Sequence, residues 1–361
     1  MRIDQFLYQK EKALGERVLL FPLYLLSLPY GAAVRARSFL YSLQLLKTKT
    51  LPCPVISVGN ITVGGTGKTP LVMTLAKGLM ARGISVAILS RGYKRTKTSE
   101  PVVSDGKTIF LSPEESGDEP LLMAKACKGV PVLAGKDRFM NGQLALQRFG
   151  VRGLLLDDGY QYLPLHRDIN ILLVESTIGF GDHHLLPRGI LREPLSHLRR
   201  ANLFLINRAA ELAAFQSLEK KIQEIYPGAQ VFHSDYVPVS LVDPQEEQEK
   251  LGSLKEKRVL AFSGVANPNS FSSMLRKCRM KIVGEAIFPD HHCYTIKDLS
   301  YIEEKAKGAD GIVTTEKDMV KLKKLSIGHL PIWALRIEMK IWEEEEFFKR
   351  IISLFEKERK N

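Results

Sequence analysis

Val55-Ile-Ser-Val-Gly-Asn-Ile-Thr-Val-Gly-Gly-Thr-Gly-Lys-Thr-Pro70 is the stretch on which the reading of this chain turns. A short apolar run enters a glycine-rich loop, and the loop ends in Gly67-Lys68-Thr69 where a helical pattern begins. Glycines let backbone N–H groups approach phosphate oxygens, and a helix N-terminus adds a favourable dipole. In such a loop the lysine, Lys68, reaches the β- and γ-phosphates of a nucleotide, and the Thr69 hydroxyl sits on Mg²⁺. The expected nucleotide-binding residues are therefore Thr62, Val63, Gly64, Gly65, Thr66, Gly67, Lys68 and Thr69. A strict GxxxxGK[ST] motif has glycine at position 62, where this chain has Thr62, so the loop is a variant of the pattern.

On either side, short apolar runs alternate with helical segments. Strands are expected at 55–58, 86–89, 131–133, 154–156, 169–174 and 203–206, and helices at 68–82, 119–127, 137–149 and 211–225. Runs such as Ile169-Asn-Ile-Leu-Leu-Val174 lack polar alternation, as strands covered on both faces do. The fold class is α/β: a P-loop NTPase-like, doubly wound parallel sheet. The polar stretch 243–257 reads as a hinge, and beyond it lies a second, smaller α/β lobe with strands near 259–262, 282–287, 311–314 and 332–335. There Thr295 and Asp298 form a capping-box signature. The expected organisation is an N-terminal apolar and basic segment (1–48), a P-loop domain (49–240) and a smaller lobe (241–361) that completes a two-substrate cleft.

Further chemistry sits at the ends of the expected strands. Leu154-Leu-Leu-Asp-Asp-Gly159 places two carboxylates, Asp157 and Asp158, where P-loop proteins hold Mg²⁺. Gly117-Asp118-Glu119-Pro120 reads by itself as a helix start. Pro289-Asp-His-His-Cys293 reads as a polar turn without zinc-ligand spacing, yet an Asp and a His meeting across a cleft can act as a base and its orienting partner. Arg91 and Tyr93 follow the second strand at its C-terminal end, where open α/β sheets bind ligands. With Glu119 and Arg138 they make up the expected substrate-binding set. The segment 176–196 is a loop of the length that usually carries function.

Charge and composition narrow the partners. The net charge of +12 over 361 residues favours an anionic partner. Neither zinc-finger spacing nor an aromatic-studded basic strand supports nucleic acid. Cys53, Cys127, Cys278 and Cys293 form no CxxC pair and read as reduced thiols. Residues 18–34 carry no charge, which is short for a span of about 20 residues, and they contain Pro22 and Pro29. On a helix, Arg17, Tyr24, Gly31 and Arg35 share one narrow stripe and the rest is apolar, as in an element lying in a membrane interface. A helix packed on the core is the alternative.

Taken together, Ser57–Pro70, Ser90-Arg-Gly-Tyr-Lys-Arg95, the Gly117–Pro120 segment, Leu154–Gln161, Gly179–Asn202, Phe288–Tyr294 and Thr314–Asp318 resemble the tetraacyldisaccharide 4′-kinase family of the lipid A pathway. The resemblance implies ATP-dependent transfer of the γ-phosphate to the 4′-hydroxyl of a tetraacyldisaccharide 1-phosphate, with ATP and Mg²⁺ as cofactors. It also implies a catalytic pair at Asp118 and His291, Mg²⁺ on Thr69, Asp157 and Asp158, and an N-terminal membrane-associating helix. The implied place is the cytoplasmic face of the inner membrane, peripherally bound, with a glycolipid as partner and no obligate protein partner. Two departures, Asp182 for asparagine and Ile190 for proline, fall in the 176–196 loop. A membrane-associated regulatory ATPase would share the P-loop but need no acceptor base. A GTPase would carry Asn-Lys-x-Asp where this chain has Asn207-Arg208-Ala-Ala210.

Overall fold

The computed structural model describes residues 14–93, 95, 100–208, 212–265, 267–289, 292–322 and 330–357. Among the described residues thirteen strands form one sheet: β1 (Val55–Gly59), β2 (Val86–Ser90), β3 (Val102–Ser104), β4 (Val132–Ala134), β5 (Gly153–Leu156), β6 (Ile169–Glu175), β7 (Leu203–Asn207), β8 (Gln230–Val242), β9 (Gln248–Glu249), β10 (Arg258–Ser263), β11 (Lys281–Ile287), β12 (Gly311–Thr315) and β13 (Ile332–Ile341). Their order is β11-β10-β12-β13-β8-β7-β6-β1-β5-β2-β4-β3, with β9 on β8. Pairing is parallel except for β3 with β4, β8 with β13 and β8 with β9. β1 sits centrally between β5 and β6, and both it and β6 are buried along their whole length. That explains their unbroken apolar sequence, since helices cover both faces.

The two parallel blocks meet through β8. Residues 230–234 run parallel to β7, and residues 234–242 run antiparallel to β13. One strand thus gives its hydrogen-bonding edges to both blocks, and the expected boundary at 240 lies inside it. Pro238, which has no N–H to donate, stands where the β8–β13 register shifts. The expected hinge at 243–257 holds β9 and a short 3₁₀ turn at Leu251–Leu254. The last helix, Glu344–Lys357, returns to the first block: Phe347, Phe348, Ile351 and Phe355 join the core formed by β1, β2 and the helix Lys68–Ala81. Gly78 makes this approach possible, because a Cβ there would lie 2.2 Å from the Phe348 ring.

Local signals hold at several helix ends. Asp137 caps the helix Arg138–Phe149 by accepting from the N–H groups of Phe139 and Met140. Thr295 and Asp298 form the capping box read from the sequence. The four cysteines are free.

Near the N-terminus, a turn of helix (Leu14–Leu19) precedes a long helix, Phe21–Ser42, with Pro22 in its first turn and Pro29 inside it. Ser27 and Gly31 face the protein. A Cβ on Gly31 would lie 2.7 Å from Leu185, and Tyr24 packs edge-on against His184 at 5.8 Å. The Tyr30 hydroxyl donates to the Arg192 carbonyl (2.8 Å). The small and polar side is therefore the docked one, while Phe21, Leu25, Leu26, Leu28 and Phe39 point outward, each half or more exposed. No helix among the described residues is long and apolar enough to cross a membrane.

Candidate active site

The glycine-rich loop leaves β1 at its C-terminal end and feeds the helix Lys68–Ala81. Gly64 and Gly67 hold φ of +108° and +101°, which favour glycine. At Gly67 space is decisive too: a Cβ would sit 2.1 Å from the Tyr236 hydroxyl and 2.9 Å from Asn207 Nδ2. Thr62, the departure from the strict motif, forms an antiparallel bridge with Leu191, and the Val63 N–H donates to the Ile190 carbonyl (2.8 Å). In that extended pairing a β-branched residue is well suited, so the loop needs no glycine there.

Asn60, missed by the sequence reading, ties the loop together. Its Nδ2 donates to Thr66 Oγ1 (3.0 Å), and Lys68 Nζ donates to its Oδ1 (3.4 Å). Asn207 braces the loop from β7 by donating to the Thr66 carbonyl (3.2 Å). Nothing in a lone asparagine marks it for such work; only its place beside the loop does.

Asp157 and Asp158 follow β5 and take different surroundings. Asp157 is buried, accepts from the Ser90 hydroxyl (3.0 Å) and leaves its Oδ1 without a partner. Burial first, then the charges of Glu119 and Asp158, push its pKa well above the usual carboxylate range. For Asp158 burial also pushes upward, but Lys68 and Arg192 outweigh it and hold the carboxyl below its ordinary value. Lys68 Nζ lies 3.6 Å away, and Arg192 Nη1 spans both carboxylate oxygens at 3.0 and 3.1 Å. Asp158 adopts φ +48°, a left-handed turn that aspartate tolerates.

Loop, carboxylates and the second block enclose a cavity of 530 Å³, within the usual range for small-ligand sites. Gly64 to Thr69, Arg91, Tyr93, Glu119, Asp157 and Asp158 line it, so most expected site residues converge. Thr62 and Val63 lie behind, held against residues 190 and 191. Arg138 stays outside the lining: buried beneath the site, it stacks on Tyr162 (4.6 Å), and its Nη2 reaches the Asp157 carbonyl (3.5 Å). Asp118 opens the helix Asp118–Ala126 beside Glu119, with Lys321 Nζ 3.7 Å from its Oδ2. His291 lies outside the described residues. Its neighbour His292 stacks on Phe288 (4.9 Å) and meets Asp298 (3.1 Å).

The far wall was less visible in sequence. Thr315, Glu316 and Lys317 line the cavity, as do Asn267, Phe271 and Met274. Lys317 pairs with Glu119 across the blocks (3.4 Å), and Glu316 with Arg336 (2.7 Å). Arg192 belongs to the 176–196 loop expected to carry function, and the backbone of that loop places it on Asp158: its N–H donates to the Ile61 carbonyl (2.7 Å). Behind it, buried Glu193 pairs with His197 (2.6 Å) and Arg200.

A P-loop whose lysine faces a paired carboxylate at the end of the neighbouring strand, in an α/β sheet, defines a P-loop nucleotide-binding protein. Within that class, residues 19–356 match the tetraacyldisaccharide-1-P 4′-kinase family, and the chain belongs to it. A tetraacyldisaccharide 4′-kinase from Desulfatibacillum aliphaticivorans is 40% identical over 337 residues, covering 90% of each chain. That of Geobacter sulfurreducens is 41% identical over 312 residues, covering 86% of each. The crystal structure of LpxK from Aquifex aeolicus in complex with ATP superimposes with a TM-score of 0.75 at 36% identity, covering 93% of this chain and 99% of that one.

Proposed function

We propose that this protein transfers the γ-phosphate of ATP to the 4′-hydroxyl of a tetraacyldisaccharide 1-phosphate at a membrane surface. The observation that carries this is the meeting of Lys68, Asp157 and Asp158 in a cavity whose other wall bears Glu119, Lys317 and the Asp118 helix. Phosphoryl transfer asks a protein chiefly for positioning and charge stabilisation, and these parts supply both. Loop N–H groups and Lys68 hold the β- and γ-phosphates. Lys68 exchanges its contact with Asp158 for the nucleotide, while Arg192 keeps that carboxylate neutralised.

Mg²⁺ fits the residues present, since the buried Asp157 Oδ1 has no partner and the Thr69 hydroxyl lines the same cavity. Among the described residues no three His, Cys, Asp or Glu side chains form a ready-made metal site, so phosphate oxygens and water would complete the shell around Thr69, Asp157 and Asp158. When bound, the ion supplies charge stabilisation to the β- and γ-phosphate oxygens. Asp118 takes the proton of the acceptor hydroxyl as its oxygen attacks the γ-phosphorus, and His291 orients that carboxylate. The bond to the β–γ bridging oxygen breaks, and ADP leaves. Arg91, Tyr93 and Glu119 contact the acceptor at the cavity mouth, whereas Arg138 acts from beneath by holding the Asp157 turn. The cleft between the block around β1 and the block of β10 to β13 receives both substrates.

The outward apolar face of Phe21–Ser42 would dip into the bilayer, with Arg35 and Arg37 at acidic headgroups, on the cytoplasmic face of the inner membrane. The test is phosphate transfer in detergent micelles with Mg-ATP, with and without tetraacyldisaccharide 1-phosphate. Lipid-dependent labelling that collapses in Asp118→Ala while nucleotide binding survives is expected. ATP hydrolysis indifferent to the lipid and to that substitution would overturn the proposal in favour of a regulatory ATPase.

A further inference from the structure

The helix Glu316–Leu322 carries a buried charge cluster that the chemistry above leaves unused. Asp318 is completely buried. Its Oδ2 accepts from the Gly264 N–H (2.9 Å) and the Thr315 hydroxyl (2.7 Å), and its own N–H returns to Thr315 Oγ1 (3.2 Å). Its Oδ1 lies 3.4 Å from Lys321 Nζ, one turn along the same helix. The packing is tight here, since a Cβ on Gly264 would come within 3.0 Å of both Asp318 Oδ1 and the Tyr294 hydroxyl.

A desolvated carboxylate needs a counter-charge, and Lys321, with only 8% of its side chain exposed, provides it. An ammonium has three donors, however. The next carboxylate it meets is Asp118, 3.7 Å away, at the start of the helix Asp118–Ala126 in the other parallel block. Lys317, one turn earlier, pairs with Glu119 beside it. Among the described residues Lys321 faces Asp118 directly; Lys317 and Glu119 pair beside it, Asp318 lies behind Lys321, and the Tyr294 ring is 5.9 Å from Lys321 Nζ.

We propose that Lys321 is a positioning residue for phosphoryl transfer: anchored by Asp318, its ammonium holds the Asp118 carboxylate ionised and fixed beside Glu119, which lines the cavity. This rests on Asp118 being the base. A neighbouring cation favours the ionised form of a carboxylate, so its removal raises the pH below which the base is protonated and silent. Lys321 itself is not part of the cavity lining.

The experiment compares Lys321→Met, Lys321→Arg, Asp118→Asn and the Lys321→Met/Asp118→Asn pair with Mg-ATP and tetraacyldisaccharide 1-phosphate in micelles. Lys321→Met should lower kcat about 10²-fold with nucleotide binding unchanged, and move the acid limb of the pH profile to higher pH. Lys321→Arg should restore most of the rate. In the Asp118→Asn background, adding Lys321→Met should change kcat less than about two-fold, because the two act as a unit. A wild-type rate and acid limb in Lys321→Met would overturn the proposal, as would a loss fully additive with Asp118→Asn. Should Lys321→Met not fold, Asp318→Asn, which frees Lys321 from its anchor, must show the same acid-limb shift or the idea fails. An Asp118→Asn enzyme that still transfers phosphate sinks the base assignment itself; an inactive Asp118→Asn beside a normal Lys321→Met sinks only the role of Lys321.

Discussion

Two helices of this molecule are built from much the same apolar residues and end in opposite surroundings. In Lys68–Ala81 the residues Leu71, Val72, Leu75, Ala76 and Leu79 are completely buried against the sheet. In Phe21–Ser42 the residues Phe21, Leu25, Leu26 and Leu28 are 50–58% exposed, and Ser27 and Gly31 take the inner side. Apolar content is thus no guide to which face a helix buries. What decides is the partner: a flat sheet of aliphatic side chains in one case, and the close backbone approach that Gly31 allows to Leu185 in the other. The first helix packs its apolar side into the core; the second leaves its apolar side exposed.

The sharpest way to separate the two is through their basic residues. Lys68→Ala should reduce phosphate transfer about 10³-fold, because a charge that follows the transferred group is lost. Arg35→Ala should alter it only through membrane attraction, worth about 1 kcal/mol on acidic vesicles. Initial rates in neutral micelles and on anionic vesicles separate these outcomes. Next in size is packing. Leu75→Ala should lower unfolding free energy by about 2–5 kcal/mol in urea titrations, whereas Leu26→Ala should stay within about 0.5 kcal/mol of the parent. Comparable losses at both sites would erase the contrast.

A smaller effect is expected from Leu25→Ser/Leu26→Ser/Leu28→Ser. Urea stability should hold, while partition onto vesicles, read by sedimentation, should fall at least about ten-fold. Unchanged partition would mean that the outward face is idle. The smallest effect concerns the hydroxyl by which Tyr30 anchors the outer helix to the Arg192 carbonyl. Burial, then Glu193, raises the pKa of Tyr30, against a lowering by Arg192. A raised folded value means that the anchoring contribution is complete below the ordinary value near 10 and fades as pH rises through the folded one. Tyr30→Phe should cost about 1 kcal/mol at neutral pH and flatten that alkaline loss in pH-dependent unfolding.

How much could be read in advance follows from where each interaction lies along the chain. The P-loop, the Asp157–Asp158 pair and the Thr295 cap depend on residues within a few positions of one another, so residue type and spacing disclose them. β8 was not legible. His233, Ser234, Asp235 and Pro238 break its apolar pattern, because its two ends serve different neighbours and its middle is only half covered. Arg138 illustrates a different limit. A basic residue after a strand has the composition of a phosphate ligand, but its burial under Asp157 is set by Tyr162, which the sequence places far away.

By itself, then, the sequence determined the parallel α/β character, the phosphate loop and the family, because local periodicity, glycine placement and clustered motifs are written in consecutive residues. Only the tertiary structure decided that both blocks share one sheet through β8, that Arg192 reaches the Asp158 carboxylate while Arg138 is buried beneath the site, and that the first long helix turns its apolar side outward. Each of these depends on contacts between residues dozens to hundreds of positions apart, where burial and hydrogen-bond satisfaction, not residue type, select the outcome.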